Sequence, residues 1–429
     1  KVDKLIGIFG TNEGLPNDPD GFFLPPPKPR LHVLFVQKGA AKAKVPVIPA
    51  RLSILTRKIN NDRGVCFFCK QCNRACQVYA DFSSGTCLIQ PAMKNGSVDL
   101  YTLAMVREVI TDTSGKATGL IYIDKKDLKE YRIGAKVVVL AASACETARI
   151  MLNSKSKIHP NGLSNSSGVL GRYLHDSTGA DRMGILPELI DRPRYNEDGV
   201  GGMHVYSPWW LDNKKLDFPR GYHLEYWGGM SMPSYGFGFG METMRSYIKD
   251  EFGNPSPNGG FGAGLKKDIR RIYGTTVGMS GRGESIPQYD NFCEIDPEIV
   301  DKYGIPVLKF HYKWTDHELK QAKHMHDTFE EILTGMGAII LGKKPDESTQ
   351  NGLHAPGRII HEVGTTRMGD NPQTSVLNKY AQAHECKNLF VTDAGSFVSQ
   401  ADKNPTWTIL ALAWRTSDYI IDQLKKQNI

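Results

Sequence analysis

No stretch of this sequence approaches the roughly 18 consecutive apolar residues that a membrane helix requires, so no membrane span of its own is expected. The dinucleotide fingerprint G-x-G-x-x-G occurs nowhere. Gly236, Gly238 and Gly240 alternate, and Gly259 to Gly264 is glycine-rich, but neither has the spacing or the strand–turn–helix setting. The chain opens at Lys1 with no methionine, signal peptide or twin arginine, which reads as the middle of a protein. A strong charge imbalance is also lacking: the net charge is +7 over 429 residues. The basic positions Lys38, Lys42, Lys44, Arg51, Arg57 and Lys58 have no interleaved aromatic platforms. They read as a solvated face rather than a nucleic-acid groove. Internal repeats and low-complexity blocks are absent too.

What is present fits a globular protein, with 40% hydrophobic and 23% charged residues and enough length for two domains. Residues 1–60 read as a linker-rich opening segment, with a helix-like start from Val2 to Phe9 and a proline-rich loop from Leu24 to Pro29. Residues 61–90 form a cysteine loop. Residues 91–159 read as α/β. Ser97 to Thr111 alternates, and Thr118 to Ile123 follows the turn Ser114-Gly115. Lys136 to Ala142 is a continuous apolar run suited to a parallel strand buried on both faces, with helical periodicity from Glu146 to Leu152. Residues 160–350 change to short alternating segments such as Gly202 to Trp210 and Tyr222 to Met230, expected in an antiparallel sheet, and end near a charged helix over Thr315 to Met336. Residues 351–429 return to α/β, with a strand at Asn388 to Thr392 and a helix from Pro405 to Lys425, where a first-turn proline is welcome. The fold class expected is α/β, interrupted by an inserted antiparallel-sheet (α+β) domain.

Eight cysteines are present, and four of them read C-x2-C-x2-C-x3-C at Cys66, Cys69, Cys72 and Cys76. Thiolates at this spacing can fold around one compact inorganic core, and the run matches the bacterial ferredoxin pattern except that Gln77 replaces its proline. In two-cluster ferredoxins the fourth cysteine serves the other cluster, and no second run exists here. A structural zinc site is the competing reading, because C-x2-C is also a zinc half-site, although zinc sites usually pair two separated halves. Unliganded or disulfide-bonded thiols are a third. Cys87, Cys145, Cys293 and Cys386 lie outside the run, and a disulfide framework would be spread more evenly.

Two C-terminal segments carry further chemistry. In His361-Glu362-Val363-Gly364-Thr365-Thr366-Arg367-Met368-Gly369 a histidine precedes a tight glycine turn, which can hold its ring at a pocket wall. The second runs from Asn388-Leu389-Phe390-Val391-Thr392-Asp393 to Asn404-Pro405-Thr406. It is a strand ending in Asp393 at its carboxyl end, then a loop, then Asn-Pro opening a helix. Such a helix start presents backbone N–H groups and positive partial charge to an electron-rich ring. For Asn404 the plain reading is a helix N-cap, and for Asp393 a strand-terminating turn. His204, His223 and His354 carry no motif and default to structural roles. Trp209, Trp210, Tyr226 and Trp227 suit stacking on the C–H face of a pyranose, with core packing as the competing role.

These two segments resemble the C-terminal signature of the glucose–methanol–choline oxidoreductases. The resemblance runs along nearly the whole chain in family order, through the cysteine loop and the KVVVLAAS strand. It implies FAD as cofactor, an FAD-binding Rossmann-like domain and an inserted substrate domain. It implies His361 as active-site base with Asn404 as its partner. It places Val106, Ala141, Ala142, Asp393 and Ala394 against the FAD adenosine or phosphate region, and Pro405 and Thr406 beside the isoalloxazine ring. The spacing Cys66-x5-Cys72-x3-Cys76 resembles that of cluster-bearing bacterial sugar dehydrogenases in the family. Because Cys69 is additional to that spacing, [3Fe–4S] on three cysteines and [4Fe–4S] on four both stand. Gly21 to Pro26 and Ser375 to Tyr380 look most like a branch with glucoside 3-dehydrogenases. The family's glycine fingerprint lies in an N-terminal part that this sequence lacks.

The function expected from the resemblance is oxidation of a sugar, glucoside or polyol hydroxyl, with hydride passing to flavin N5 and electrons leaving through the cluster. A small accessory subunit, a c-type cytochrome acceptor and a periplasmic or partner-mediated membrane location go with it. A cluster favours a dehydrogenase over an oxygen-using oxidase. The alternative from another class is a non-catalytic electron-transfer or scaffold subunit that keeps fold and cluster. The missing glycine fingerprint favours that alternative, and the intact His361–Asn404 pair opposes it. A zinc-ribbon nucleic-acid binder is disfavoured by the single cysteine run.

Overall fold

The computed structural model describes residues 1–15, 20–193, 199–208, 214–230 and 262–429. The chain packs as two compact units. One comprises residues 1–98, 179–283 and 316–353, the other residues 99–178, 284–315 and 354–429.

The first unit is built on a six-stranded sheet whose strands run, edge to edge, Ile339–Ile340, Thr178–Ile185, Thr276–Gly283, Tyr222–Gly228, Val205–Pro208 and Ile48–Pro49. Tyr222–Gly228 pairs antiparallel with Thr276–Gly283 and with Val205–Pro208, as do Ile339–Ile340 with Thr178–Ile185 and Ile48–Pro49 with Val205–Pro208, as the alternating sequence segments predict. Its buried face carries Tyr222, Leu224, Tyr226, Val277 and Met279. They meet Val33 and Val36 from the helix Leu31–Lys42 and Met325, Phe329, Ile332 and Leu333 from the helix Asp316–Met336. Residues 1–60 are thus more than linker. The helix Leu31–Lys42 contains Gly39, which reads in sequence as a helix weakener. A Cβ at Gly39 would stand 2.5 Å from the Ile332 carbonyl oxygen and 2.4 Å from Met336. The glycine is there to let two helices touch.

The second unit holds the α/β part. Val138–Leu140 and Leu389–Val391 pair in parallel, in register Val138↔Leu389 to Leu140↔Val391. The helix Ala144–Asn153 packs on them through Ala148, Met151 and Leu152, and the three-stranded meander Ala104–Thr111, Ala117–Asp124 and Glu130–Gly134 adds Val109 and Ala117. The expectation that Lys136 to Ala142 is buried on both faces needs correcting. Val138 and Leu140 are buried but Val139 is 46% exposed, while its register partner Phe390 is fully buried, so that face of the ribbon is covered over one strand and open over the other. The last helix, Thr406–Lys425, likewise leaves Trp414, Ile421 and Leu424 exposed. Trp209 and Trp210 lie outside the described residues, and Tyr226 is core.

Candidate active site

The residues that hold His361 through the hydrogen bonds given below belong to the second unit. The backbone of Val363 bridges that of His175 in both directions, N to O at 3.2 and 2.9 Å. Gly364 sits at φ 95°, and a Cβ there would stand 2.3 Å from the Tyr173 carbonyl oxygen, so only glycine lets the segment lie this close. Just before the bridge, the His361 backbone N–H donates to Asp176 Oδ1 at 2.9 Å, an oxygen that also accepts from Ser177 N–H at 2.8 Å. The histidine's main chain is therefore pinned before its ring is considered.

The ring is held at both nitrogens. Nδ1 lies 3.2 Å from Ser177 Oγ, and Nε2 lies 3.4 Å from Asn404 Nδ2. An amide nitrogen only donates, so in neutral His361 the Nε2 lone pair accepts and the proton rests on Nδ1. Nδ1–H then donates to Ser177 Oγ. That oxygen also accepts from Gln400 Nε2–H at 2.9 Å, which uses both its lone pairs. The buried chain Gln400–Ser177 thus selects the tautomer that keeps a basic nitrogen toward Asn404, which is exposed. Spacing and motif gave no sign of Asp176, Ser177 or Gln400. Ser177 is 184 positions from His361 and 223 from Gln400.

The flavin positions predicted from sequence fall into three places. Ala141 and Ala142 are exposed at the carboxyl end of Val138–Leu140, ahead of the N-terminus of the helix Ala144–Asn153. Asp393 and Ala394 are buried at the carboxyl end of the paired strand. The Asp393 carboxylate accepts from Thr147 Oγ1 at 2.5 Å and from Gly395 N–H at 2.8 Å. Burial raises its pKa, and these hydrogen bonds oppose the rise. Gly364 N–H and Thr366 N–H donate to the carbonyls of Ala394 and Gly395, which ties the His361 segment to this turn. Pro405 and Thr406 stand at the open start of the last helix, next to Asn404. Val106 is apart from these. It lies in the meander, half-buried against the core that contains Val138 and Leu140. Small exposed residues at the carboxyl ends of parallel strands, beside a helix N-terminus, fit the approach of a nucleotide cofactor.

The cysteine loop belongs to the first unit. Cys66, Cys69, Cys72 and Cys76 line one shallow depression, walled by Ile54, Val78 and Ala80. Phe68, Lys70, Ala75 and Tyr79 all have left-handed φ between 57° and 62°, so the loop is curled by four non-glycine residues in a conformation they rarely adopt. Buried Arg63 holds the loop's return by donating to the carbonyls of Tyr79 (2.9 Å), Ala80 (3.0 Å) and Ile6 (2.6 Å). Its charge faces Cys87, Asp81 and Cys76. The Phe68 N–H points at Cys66 Sγ at 3.4 Å, and the Gly201 N–H bonds to Cys72. Burial nevertheless pushes both thiols above their ordinary pKa. Among the described residues no three His, Cys, Asp or Glu side chains stand close enough to hold a metal ion. The donor set, apolar walls and N–H groups suit sulfur ligation, and the four thiols share one depression without converging.

Family profiles described as GMC oxidoreductase match residues 38–178 and 287–413. A 2-methyl-1,2-propanediol dehydrogenase of Mycolicibacterium austroafricanum is 32% identical over 331 residues, covering 75% of this chain and 54% of the relative. A gluconate 2-dehydrogenase flavoprotein of Pantoea cypripedii is 27% identical over 378 residues, covering 85% and 57%. The chain thus spans about half the length of these curated relatives. Among solved structures, an Aspergillus oryzae formate oxidase superposes with a TM-score of 0.62 at 12% identity, covering 92% of this chain and 70% of that one, a likeness of fold. No described helix is long and apolar enough to cross a membrane.

Proposed function

This chain belongs to the GMC oxidoreductase family, and from that premise we propose that it forms the catalytic part of an FAD-dependent dehydrogenase oxidising a hydroxyl of a sugar, glucoside or polyol to a carbonyl. The observation that carries the reading is the meeting of His361 Nε2 and Asn404 Nδ2 at 3.4 Å, with Nδ1 already engaged by Ser177. A substrate hydroxyl entering between them would give its proton to Nε2. The Asn404 amide would donate to the same oxygen and fix the direction of the adjacent C–H bond. Ser177 Oγ would continue to accept from Nδ1–H as the ring becomes an imidazolium, so the ring need not turn. Bound FAD would supply the hydride acceptor at flavin N5.

The residues that would hold the flavin are Ala141, Ala142, Asp393 and Ala394 on the adenosine and phosphate side, with Val106 behind them, and Pro405 and Thr406 at the ring. The exposed apolar Val139, Ile421 and Leu424 support a flavin domain completed by polypeptide outside these 429 residues, which would bear the glycine fingerprint. Cys66, Cys72 and Cys76 would bind an iron–sulfur cluster, with Cys69 as fourth ligand if it is [4Fe–4S] and not if it is [3Fe–4S]; the cluster would supply single-electron steps. A small accessory subunit and a c-type cytochrome would be the outlet, in the bacterial periplasm or at a membrane through that partner. Glucoside 3-dehydrogenation is the particular case to try first.

An optical spectrum of the purified protein followed by anaerobic addition of methyl β-D-glucopyranoside and then 1,2-propanediol tests the proposal. Flavin peaks with a broad iron–sulfur shoulder, and bleaching by either compound, are expected. A flavin-loaded protein that no sugar or polyol bleaches would sink it.

A further inference from the structure

Arg63, at 3% exposure, is the most deeply buried arginine among the described residues. Its guanidinium donates to the carbonyls of Tyr79 at 2.9 Å, Ala80 at 3.0 Å and Ile6 at 2.6 Å. Those oxygens satisfy donors but carry no net charge. Among the described residues no carboxylate stands at ion-pair distance from it. Arginines this deeply buried are almost always charge-paired, because an uncompensated buried cation is destabilising.

The backbone that Arg63 grips is the wall of the cysteine loop, and both belong to the first unit. Gly64 N–H donates to the Val78 carbonyl at 2.7 Å, and Tyr79 N–H to that of Cys76 at 3.0 Å, so residues 63–64 run beside the end of the loop. Val78, Ala80 and Asp81 line the depression that contains the four thiols. Cys76 and the half-buried Asp81 are among the groups that feel the Arg63 charge. Cys87 feels it too, but is not among the residues lining the depression. Lys70 does line it, but is partly exposed, where water and salt screen its charge.

Metal binding converts thiols to thiolates, and zinc or an iron–sulfur cluster held by four of them is net anionic. That charge would face Arg63 across a single layer of backbone. We infer that Arg63 is the built-in counter-charge for the metal-bound thiolates of this loop, opposed by Asp81 on the wall, and that the two set the reduction potential of a cluster held there. A buried cation favours the reduced, more negative cluster, and a nearby carboxylate favours the oxidised one. The inference rests on the metal-binding reading of the loop proposed above, and names the residues that would tune it.

An anaerobic redox titration of the purified holoenzyme, followed by electron paramagnetic resonance at pH 8 where carboxylates are ionised, tests it. Arg63→Gln keeps a donor for the carbonyls and removes the charge. At a fixed potential its ratio of oxidised to reduced cluster should rise roughly ten-fold, about 59 mV for one electron. Arg63→Lys keeps the charge and should stay near wild type. Asp81→Asn should move the ratio the other way, by roughly three- to ten-fold, because Asp81 is only half-buried. It also carries the test if Arg63→Gln does not fold. Release of metal to a chelator should be several-fold faster in Arg63→Gln and unchanged in Arg63→Lys. Equal shifts in the lysine and glutamine variants would mean that Arg63 only ties down the loop, and an unmoved potential in Asp81→Asn or in a folded Arg63→Gln overturns the inference while the cluster stands. Zinc in place of iron sinks the cluster reading alone, and zinc retention in the two Arg63 variants then decides for or against the counter-charge. A wild-type loop that holds no metal overturns both.

Discussion

The His361 site and the cysteine loop were both found through short motifs, yet they are built differently. Around His361 the described orienting contacts include protein hydrogen bonds: the backbone N–H donates to the Asp176 carboxylate, Nδ1–H donates to Ser177 Oγ, and the Asn404 amide donates to Nε2. Around Cys66 to Cys76 the polypeptide supplies curvature, apolar walls and two N–H groups, and the thiols stop short of one another. An organic base is oriented by its neighbours with or without a ligand. On the proposed reading the four thiols would converge only around a bound cluster. A metal site read from sequence is therefore expected to look unfinished in a bare polypeptide, and a proton-transfer site is not.

The comparison breaks most directly at the base. His361→Ala should lower turnover by roughly 10²- to 10⁴-fold, the usual contribution of a positioned general base, with flavin content unchanged. Steady-state rates and the flavin-to-protein absorbance ratio check it. Near-normal turnover with full flavin would remove His361 from the reaction. On the other side, Cys72→Ser should lose most reduction of an external acceptor and release iron, while a glucoside still bleaches the flavin in one turnover. Wild-type onward transfer in that variant would make the loop a structural element only.

A smaller effect separates orientation from chemistry. Ser177→Ala removes the acceptor that keeps the proton on Nδ1, so part of the population would carry it on Nε2, where the substrate proton must go. We expect kcat to fall about ten-fold, less than the 10²- to 10⁴-fold of losing the base itself, with little change in KM. The pH–rate profile should shift, and Ser177→Thr should restore it by returning a hydroxyl. A drop in KM and kcat together, unrescued by threonine, would mean a packing role.

What could be read in advance follows the same division. The parallel strand, the helix Asp316–Met336 and the Asn404–Pro405 helix start were legible because each is a local pattern. The helix Leu31–Lys42 was not, because Gly39 weakens the helical signal and its purpose, close passage of another helix, lies some 300 positions away in Ile332 and Met336. His361 and Asn404 were legible as motif residues. Gln400 and Ser177 were not, since a polar residue meant to be buried looks the same in sequence as one meant for solvent until its partner is folded against it.

The last expected effect concerns stability near the base, where two adjacent residues oppose each other. Burial, with the charge of Glu362 as a lesser cause, raises Asp176 to about 6. Its folded form therefore holds a proton that the unfolded chain releases near pH 4. Between about pH 4 and 6 the native state binds more protons at this site, so stability falls as pH rises. His175 behaves in the opposite sense: burial lowers it to about 4, against an ordinary value of about 6.5. Over nearly the same window the unfolded chain binds more protons at that site, so stability rises with pH. Each contribution is about 3 kcal/mol across its window by linkage, and in the wild-type protein they largely cancel. Asp176→Asn keeps an oxygen to accept from the His361 and Ser177 backbones and removes the titration. Its unfolding free energy should then climb from pH 4 to 6.5 relative to wild type, by about 3 kcal/mol. Chemical denaturation at half-unit pH steps would show this as a widening gap between the two proteins. Parallel curves would mean that Asp176 is ionised throughout the native protein, and that its unbonded Oδ2 is not the cost that raises it.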